Sequence, residues 1–358
     1  MTARGPGLAR LGWFVHHDEL PPENSDSATS RVVVEHRGAY ELWGPHGRFE
    51  AAVEGSFRDR AADGRDFPTV GDWVRHSLDP RHDRRVVITT VEDRSSAVVR
   101  RAAGHAPVPQ VVAANVDVVC IVTTAGEDLS LRRIERYLVA AMGSRARPLI
   151  AVNKTDLGGP LPELGSVAGD VEVVGTSTVS GEGLDRLRRE LAGDATIAFI
   201  GSSGVGKSSL VNALVGTEHL DIGAVRADGR GRHTTVRRQL LLVPTGGVVI
   251  DTPGLREVRL WDDEGLPGAF PDIGVHAPSC RFGDCSHQTE PDCAVVAAVE
   301  RGDLPADRLV AYRELRAELA DLLAEREQYE RLARQRRDRG RPRGRATPRR
   351  SDEEISDR

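Results

Sequence analysis

Gly201-Ser202-Ser203-Gly204-Val205-Gly206-Lys207-Ser208 decides how this chain is read. The apolar run Ile197-Ala198-Phe199-Ile200 precedes it, and Leu210-Val211-Asn212-Ala213-Leu214-Val215 follows after Ser209. The order is buried strand, glycine-rich loop, helix, and the spacing G-x-x-x-x-G-K-S is that of a P-loop. Glycines let the backbone curl until its N–H groups face phosphate oxygens. The helix that follows adds its positive N-terminal end. On this reading Gly201 to Ser209 form the cradle, Lys207 reaches the β- and γ-phosphates, and the Ser208 hydroxyl meets Mg²⁺.

Composition sharpens the reading. Of 49 basic residues only Lys154 and Lys207 are lysines, and 47 are arginines. A compact ammonium has survived where a planar guanidinium does not serve. Both survivors lie in nucleotide motifs. The 358 residues imply two or three domains, and 39% hydrophobic with 29% charged content fits a globular chain with ample core. No apolar run approaches the roughly 18 residues of a membrane span, and no signal pattern opens the chain, so the expected location is the cytoplasm, without a membrane partner. Net charge is −5, yet residues 331–350 carry ten arginines and one acid, a local +9 that leaves −14 for the rest. That asymmetry reads either as a basic arm for nucleic acid or as a solvated tail.

Working outward from the P-loop, Pro148-Leu149-Ile150-Ala151-Val152 reads as a strand ending in Asn153-Lys154-Thr155-Asp156. This is the N-K-x-D pattern at a strand's carboxyl end, where α/β folds bind ligands. Guanine offers two parallel donors, N1–H and the 2-amino group, which the Asp156 carboxylate accepts together. Adenine offers no such pair. Asn153 bridges to neighbouring loops and Lys154 lays its stem along the base. Gly175-Thr176-Ser177 is a further loop against the guanine oxygen. The buried strand around Asp117-Val118-Val119-Cys120 and the helix from Ser130 to Met142 come before these motifs.

Beyond the P-loop, Gly229-Arg230-Gly231-Arg232-His233-Thr234-Thr235 is a flexible stretch whose threonines can close over Mg²⁺ and the γ-phosphate. The strand Gly247-Val248-Val249-Ile250 leads into Asp251-Thr252-Pro253-Gly254, a D-x-x-G motif. There Asp251 holds Mg²⁺ through water and the Gly254 N–H reaches the γ-phosphate. Leu255 occupies the position where many GTPases carry a water-orienting glutamine, so His233, Thr234 and Thr235 are the catalytic candidates. All parts of a GTPase are present, but the base-reading motif precedes the P-loop. A fold with adjacent termini tolerates such a circular permutation.

Two further regions flank this unit. Five short β-rich runs, at 31–35, 40–43, 48–53, 72–74 and 85–91, predict an all-β OB-fold barrel. Tyr40, Trp43, Phe49 and Trp73 in these runs serve either as barrel core or as stacking platforms for RNA. Downstream, Cys280, Cys285, His287 and Cys293 offer three thiolates and one imidazole, a closed tetrahedral set for one structural Zn²⁺. An amphipathic helix from 309 to 332 follows, with Leu315, Leu319, Leu322 and Leu323 on one side. The expected partition is a flexible segment 1–30, an OB-fold RNA-binding domain 31–101, a circularly permuted α/β P-loop GTPase domain 102–262, a small α-helical zinc-binding domain 263–330 and a disordered Arg-rich tail 331–358.

With these residues in view the chain resembles the circularly permuted, small-ribosomal-subunit-dependent GTPases of the RsgA/YjeQ type. The carriers are Val70-Gly71-Asp72-Trp73-Val74, Arg132-Arg133-Ile134-Glu135-Arg136-Tyr137-Leu138, the permuted motif order, Gly231-Arg232-His233-Thr234-Thr235, Asp251-Thr252-Pro253-Gly254-Leu255-Arg256-Glu257 and the Cys/His set with Glu290-Pro291 inside it. The resemblance implies GTP and GDP as ligands, a monomer acting on the 30S subunit and its 16S rRNA, and hydrolysis coupled to release late in subunit assembly. Val236 stands where a third threonine is common, and Ser177-Thr178 replaces Ser-Ala. The competing reading is a GTP-gated module on a non-ribosomal RNA.

Overall fold

A computed structural model describes residues 7–21, 28–36, 38–78, 85–104, 106–125, 129–158, 164–216, 238–252 and 258–340. The first five strands are β1 (Ala28–His36), β2 (Ala39–Gly44), β3 (Gly47–Val53), β4 (Trp73–Leu78) and β5 (Arg85–Val91), with the short helix α1 (Gly55–Arg60) after β3. They close on themselves in the order β1-β2-β3-β5-β4-β1, antiparallel except for the β3–β5 pair. This is the expected barrel. Val32, Tyr40, Leu42, Ala51, Val74, Val86 and Ile88 fill it, supplied by the alternation of each strand.

A hairpin of β6 (Ala97–Arg101) and β7 (Pro109–Ala114) leads out of the barrel, across the boundary drawn at residue 101. The central sheet then uses β8 (Val118–Thr124), β9 (Arg147–Asn153), β10 (Val173–Thr176), β11 (Thr196–Gly201), β12 (Arg238–Leu242) and β13 (Val248–Asp251). Their spatial order is β10-β9-β8-β11-β13-β12, parallel but for β12. β8 and β11 are buried throughout, as near-continuous apolar runs in a parallel sheet must be. One face is covered by α4 (Leu184–Glu190) and α5 (Lys207–Val215), the other by α2 (Leu131–Met142) with α3 (Gly165–Ala168) beside it. Ser130 caps α2, its hydroxyl accepting from the Arg133 N–H.

The C-terminal region is helical: α6 (Leu266–Ala269), α7 (Pro271–His276), α8 (Ala294–Arg301) and α9 (Ala306–Gly340). Its apolar side chains share one core with α2. Leu315, Leu319 and Leu322 are buried as expected, whereas Leu323 is 44% exposed. At about 100° per residue, Leu319 and Leu322 lie within about 40° of Leu315 around the helix, whereas Leu323 lies about 80° away, at the margin of the buried stripe. The helix also extends to Gly340, so the first ten residues of the expected disordered tail are helical. Among the described residues no helix is long and apolar enough to cross a membrane.

One further expectation changes, and one open alternative is decided. Residues 7–21, read as part of a flexible lead-in, pack on the barrel's outer side: Leu8, Leu11 and Trp13 are buried, and Trp13 meets Trp73 edge-on at 4.9 Å. Trp73 and Tyr40 are buried and unavailable as stacking platforms. Trp43 and Phe49 are half-buried, with the Arg48 guanidinium 4.5 Å from the Trp43 ring.

His76 sits inside this barrel, 4% exposed, with Nε2 2.9 Å from Ser30 Oγ. Burial, aided by the nearby His46, pulls its pKa down from 6.5 to about 4. The unfolded chain therefore takes the proton first. Native stability is full above pH 6.5, falls as pH drops from there towards 4, and loses on the order of 3 kcal/mol to this group at the low limit. The His76→Gln variant is expected to show a smaller drop in Tm between pH 7 and pH 5 than the parent. Equal drops would exclude His76 as a source.

Candidate functional site

The P-loop turns on glycines that no other residue replaces. Gly201, Gly204 and Gly206 hold φ of 145°, 85° and 93°. A Cβ on Gly201 would lie 2.3 Å from Val122 O, and one on Gly206 would lie 2.2 Å from Asn153 Nδ2. The second approach joins the phosphate loop to the N-K-x-D segment. Asn153 Nδ2 donates to Val205 O at 2.9 Å, while its Oδ1 accepts from Thr176 Oγ1 at 3.2 Å. Lys154, in the left-handed region at φ 66°, donates Nζ to Gly204 O at 2.8 Å. The bridging expected of Asn153 is thus visible, and three loops converge on one another.

Asp156 is exposed at the end of this segment. The fully buried Ser177 holds it, donating Oγ–H to Asp156 Oδ1 at 2.5 Å and accepting from the Val179 and Ser180 N–H groups at 3.1 Å. One carboxylate oxygen is thereby fixed, and the group is aimed outward. Thr155 Oγ1 donates to Glu182 Oε2 at 2.6 Å. Sequence reasoning did not find Glu182, because its partner lies across a loop junction rather than at a helical or strand spacing.

The cation side is equally well assembled. Lys207 is buried and donates Nζ to Gly201 O at 2.8 Å and Ser202 O at 2.6 Å. Burial lowers its pKa from the ordinary lysine value, and the Asp251 charge partly offsets this. Asp251 is also buried, at the end of β13, with its pKa raised by burial and held back by Lys207 and Ser208. Ser208 Oγ is 3.5 Å from Asp251 Oδ2, and Asp251 Oδ1 is buried with no hydrogen-bond partner. An ammonium under-supplied with negative charge and a carboxylate oxygen under-supplied with positive charge, side by side, fit a Mg²⁺–polyphosphate group. Ser203 and Ser209 are exposed on the same loop and helix start. His233, Thr234, Thr235 and Gly254 lie outside the described residues.

Sequence reasoning also missed a contact on the loop's other side. Arg133 Nη1 donates to Ser202 Oγ at 2.9 Å, and Tyr137 Oη lies 3.4 Å from the same oxygen. Nothing in the spacing of α2 tells which strand-end loop it faces.

The Cys/His set comes together as expected. The donor atoms of Cys280, Cys285, His287 and Cys293 lie within 4.8 Å of one another. Cys280 and Cys293 Sγ are 3.9 Å apart, close to the edge of about 3.8 Å that Zn–S bonds of ~2.3 Å produce in a tetrahedron. His287 Nδ1 is 3.6 Å from Cys280 Sγ and 3.5 Å from Cys293 Sγ. Four donors leave no position for a reacting water. Glu290 shapes the loop, accepting from the Ser286 side chain and from the Ser286, Gln288 and Thr289 N–H groups. The Ser286 side chain and N–H group, with a smaller part from Gln288, bring its pKa down to about 2. Arg316 of α9 donates to Cys285 O at 2.9 Å.

Comparison with known proteins agrees with this geometry. Residues 91–261 match the family model described as RsgA GTPase. A protein of Oceanobacillus iheyensis named small ribosomal subunit biogenesis GTPase RsgA 1 is 40% identical over 327 residues, covering 89% of this chain and 92% of that one. The protein named small ribosomal subunit biogenesis GTPase RsgA in Streptomyces avermitilis is 39% identical over 332 residues, covering 88% and 87%. Among solved structures, YjeQ from Thermotoga maritima aligns with a TM-score of 0.60 at 29% identity, over 82% of this chain and 99% of that one. YloQ, described as a circularly permuted GTPase, aligns with a TM-score of 0.57 at 25% identity, over 85% and 98%.

The Gly206–Asn153 approach yields a direct test. Gly206→Ala adds a Cβ against Asn153 Nδ2 at a φ that alanine disfavours, and is expected to cost about 1–3 kcal/mol in thermal or urea unfolding. A Tm unchanged from the parent would mean that the loop relaxes freely and the two segments are not interlocked.

Proposed function

The chain belongs to the RsgA GTPase family and is a GTP hydrolase, and on that premise we propose that it binds the small ribosomal subunit, hydrolyses GTP late in that subunit's maturation and uses hydrolysis to leave. The observation that carries the guanine-nucleotide part of this reading is the convergence of Asn153, Lys154 and the P-loop backbone, with Asp156 held outward by Ser177. The ribosomal part rests on the likeness to proteins named small ribosomal subunit biogenesis GTPase. A carboxylate fixed in this way accepts the two parallel donors of guanine and finds no match in adenine. Ser208 would hold Mg²⁺ directly and Asp251 through water, and the ion would neutralise charge on the phosphates. Lys207 binds the β- and γ-phosphates, and the Gly254 N–H meets the γ-phosphate. His233 orients the attacking water, with Thr234 and Thr235 closing beside it, since Leu255 offers no hydrogen-bonding group.

We take 31–101 as the rRNA-binding domain, 102–262 as the GTPase domain and 263–330 as the zinc domain, in a monomer acting in the cytoplasm. The half-buried Trp43 and Phe49 beside Arg48, and the exposed arginines of α9, supply stacking surface and cations for 16S rRNA. Cys280, Cys285, His287 and Cys293 hold one structural Zn²⁺, whose softer thiolate-rich set suits that metal over Mg²⁺ or Ca²⁺.

Single-turnover GTP hydrolysis measured with and without purified 30S subunits tests the central claim. The expected result is GTP selectivity over ATP and a rate raised by 30S subunits, with the stimulated rate of His233→Ala reduced 10²-fold or more at unchanged GTP binding. A parent rate indifferent to 30S subunits would reject the ribosomal role. For the metal, elemental analysis after chelator-free purification is expected to give about one zinc per chain. Cys280→Ser is expected to lose the metal and unfold the C-terminal helices while GTP binding survives. A metal-free parent with intact C-terminal helices would reject the zinc assignment.

A further inference from the structure

A cleft of about 860 Å³ separates α2 from the P-loop, lined by arginines of α2 and by Ser202 and Ser203. Those arginines have different attachments. Arg132 pairs with Glu135 and Glu314, both at 3.6 Å, and Arg136 pairs with Glu318 at 2.6 Å. Arg133 turns the other way, to Ser202 Oγ. Ser202 in turn presents its carbonyl oxygen to Lys207 Nζ at 2.6 Å. Two hydrogen bonds through one serine therefore run from helix α2 to the ammonium that faces the phosphates.

The helix at the origin of this relay is firmly seated. Its Glu135 accepts from Arg308 of α9 at 2.9 Å, with both side chains 4% exposed, and Arg308 also binds Asp272 and the Ala269 carbonyl. Tyr137, one turn beyond Arg133, faces the same serine hydroxyl. A rigid helix, a planar guanidinium and a serine with both its groups engaged make a defined support for a flexible lysine stem.

We propose that Arg133 is a positioning residue for GTP hydrolysis, acting through Ser202 to aim Lys207. The inference rests on the reading of residues 201–208 as the phosphate cradle. Ground-state nucleotide is held by many contacts, from base to backbone N–H groups, and tolerates a small displacement of one ammonium. Charge that develops on the phosphate oxygens in the transition state is more sensitive, because preorganised donors act there at fixed distance. Loss of the support therefore falls on the rate at saturation rather than on affinity. The serine must also be in the same line: once Arg133 is removed, removing the Ser202 hydroxyl has little left to take away.

The test compares the full-length parent, Arg133→Ala, Arg133→Lys, Ser202→Ala and the Arg133→Ala/Ser202→Ala double variant. Single-turnover hydrolysis at saturating GTP and Mg²⁺ is read beside the affinity for a fluorescent GTP analogue. Arg133 is exposed, so its replacement leaves the core intact. The expected result is a rate about tenfold lower for Arg133→Ala, equivalent to ~1.4 kcal/mol, with affinity within threefold of the parent. The double variant is expected to be no slower than the slower single one, and Arg133→Lys, which keeps a donor, to recover most of the rate. The positioning role is overturned if Arg133→Ala hydrolyses GTP at the parent rate, if its loss lies in affinity alone, or if the two single losses multiply in the double variant. A parent that fails to bind GTP would instead overturn the cradle reading, and the inference with it.

Discussion

One buried guanidinium holds the barrel, the N-terminal segment and the central sheet in a common frame. Arg31, 1% exposed on β1, donates Nε to Gly71 O at 3.0 Å, Nη1 to Leu11 O, and Nη2 to Asn115 O at 2.9 Å and Thr196 Oγ1 at 3.0 Å. These acceptors belong to the barrel's turn before β4, the N-terminal segment, the turn before β8 and the first residue of the P-loop strand. Burial lowers the Arg31 pKa to about 10, with Asp117 and Asp72 pulling it back up, so the group stays charged at neutral pH. A shorter or uncharged side chain would leave several buried acceptors without donors, each costing about 1–3 kcal/mol. Asp72 extends the frame through its double contact with Arg94, at 2.7 Å on both oxygens.

The consequence reaches the nucleotide site from two sides. On one side β1 pairs with β12, Val34 opposite Gln239 and Glu35 opposite Arg238, and the Arg238–Glu35 ion pair at 3.2 Å reinforces the seam. The barrel strand that carries Arg31 is thus hydrogen-bonded to the strand that follows residues 217–237, where His233 lies. On the other side α9 reaches α2 through Arg308–Glu135, and α2 reaches the P-loop through Arg133. Breaking one partner of a buried pair such as Arg308–Glu135 leaves an uncompensated charge, a larger loss than the pair's net worth. Neither flanking unit is a loose appendage: buried Arg31 ties the barrel to Thr196 of the P-loop strand, and buried Arg308 ties the C-terminal helices to Glu135 of α2.

What the sequence could reveal follows from the range of the interactions involved. The P-loop, N-K-x-D and Cys/His sets are legible because their chemistry fixes residue types at short spacing. The five barrel strands are legible because alternation is local. The seating of residues 7–21 is not, because Leu11 and Trp13 find their surface on Trp73, some 60 residues away. The fates of Tyr40 and Trp73 depend on which face of a strand meets a neighbour, and a strand's pattern does not name that neighbour. Leu323 fails as a core residue because it sits at the margin of the α9 stripe, which still meets the body farther on: Leu322 is buried, Glu325 pairs with Arg101 and Arg326 lies over Trp261. The links Arg133–Ser202 and Ser177–Asp156 join segments 69 and 21 residues apart. The second could be inferred from the motif order, whereas the first required the packing of α2.

The two lysines make physical sense once the loop is seen. Lys154 Nζ caps the Gly204 carbonyl, and Lys207 Nζ caps those of Gly201 and Ser202. Both ammonium groups thus converge on backbone oxygens of one tight, glycine-built turn. An ammonium is a compact charge whose three donors rotate to suit such oxygens, while a guanidinium is a flat fork that needs planar partners and more room. Arg31 illustrates the opposite case, with acceptors on separate segments spread around a planar group. In a chain that uses arginine at 47 of its 49 basic positions, lysine remains at the two places where a point donor must enter the curve of the loop. Replacing either by arginine would keep the charge and lose the fit to these backbone oxygens.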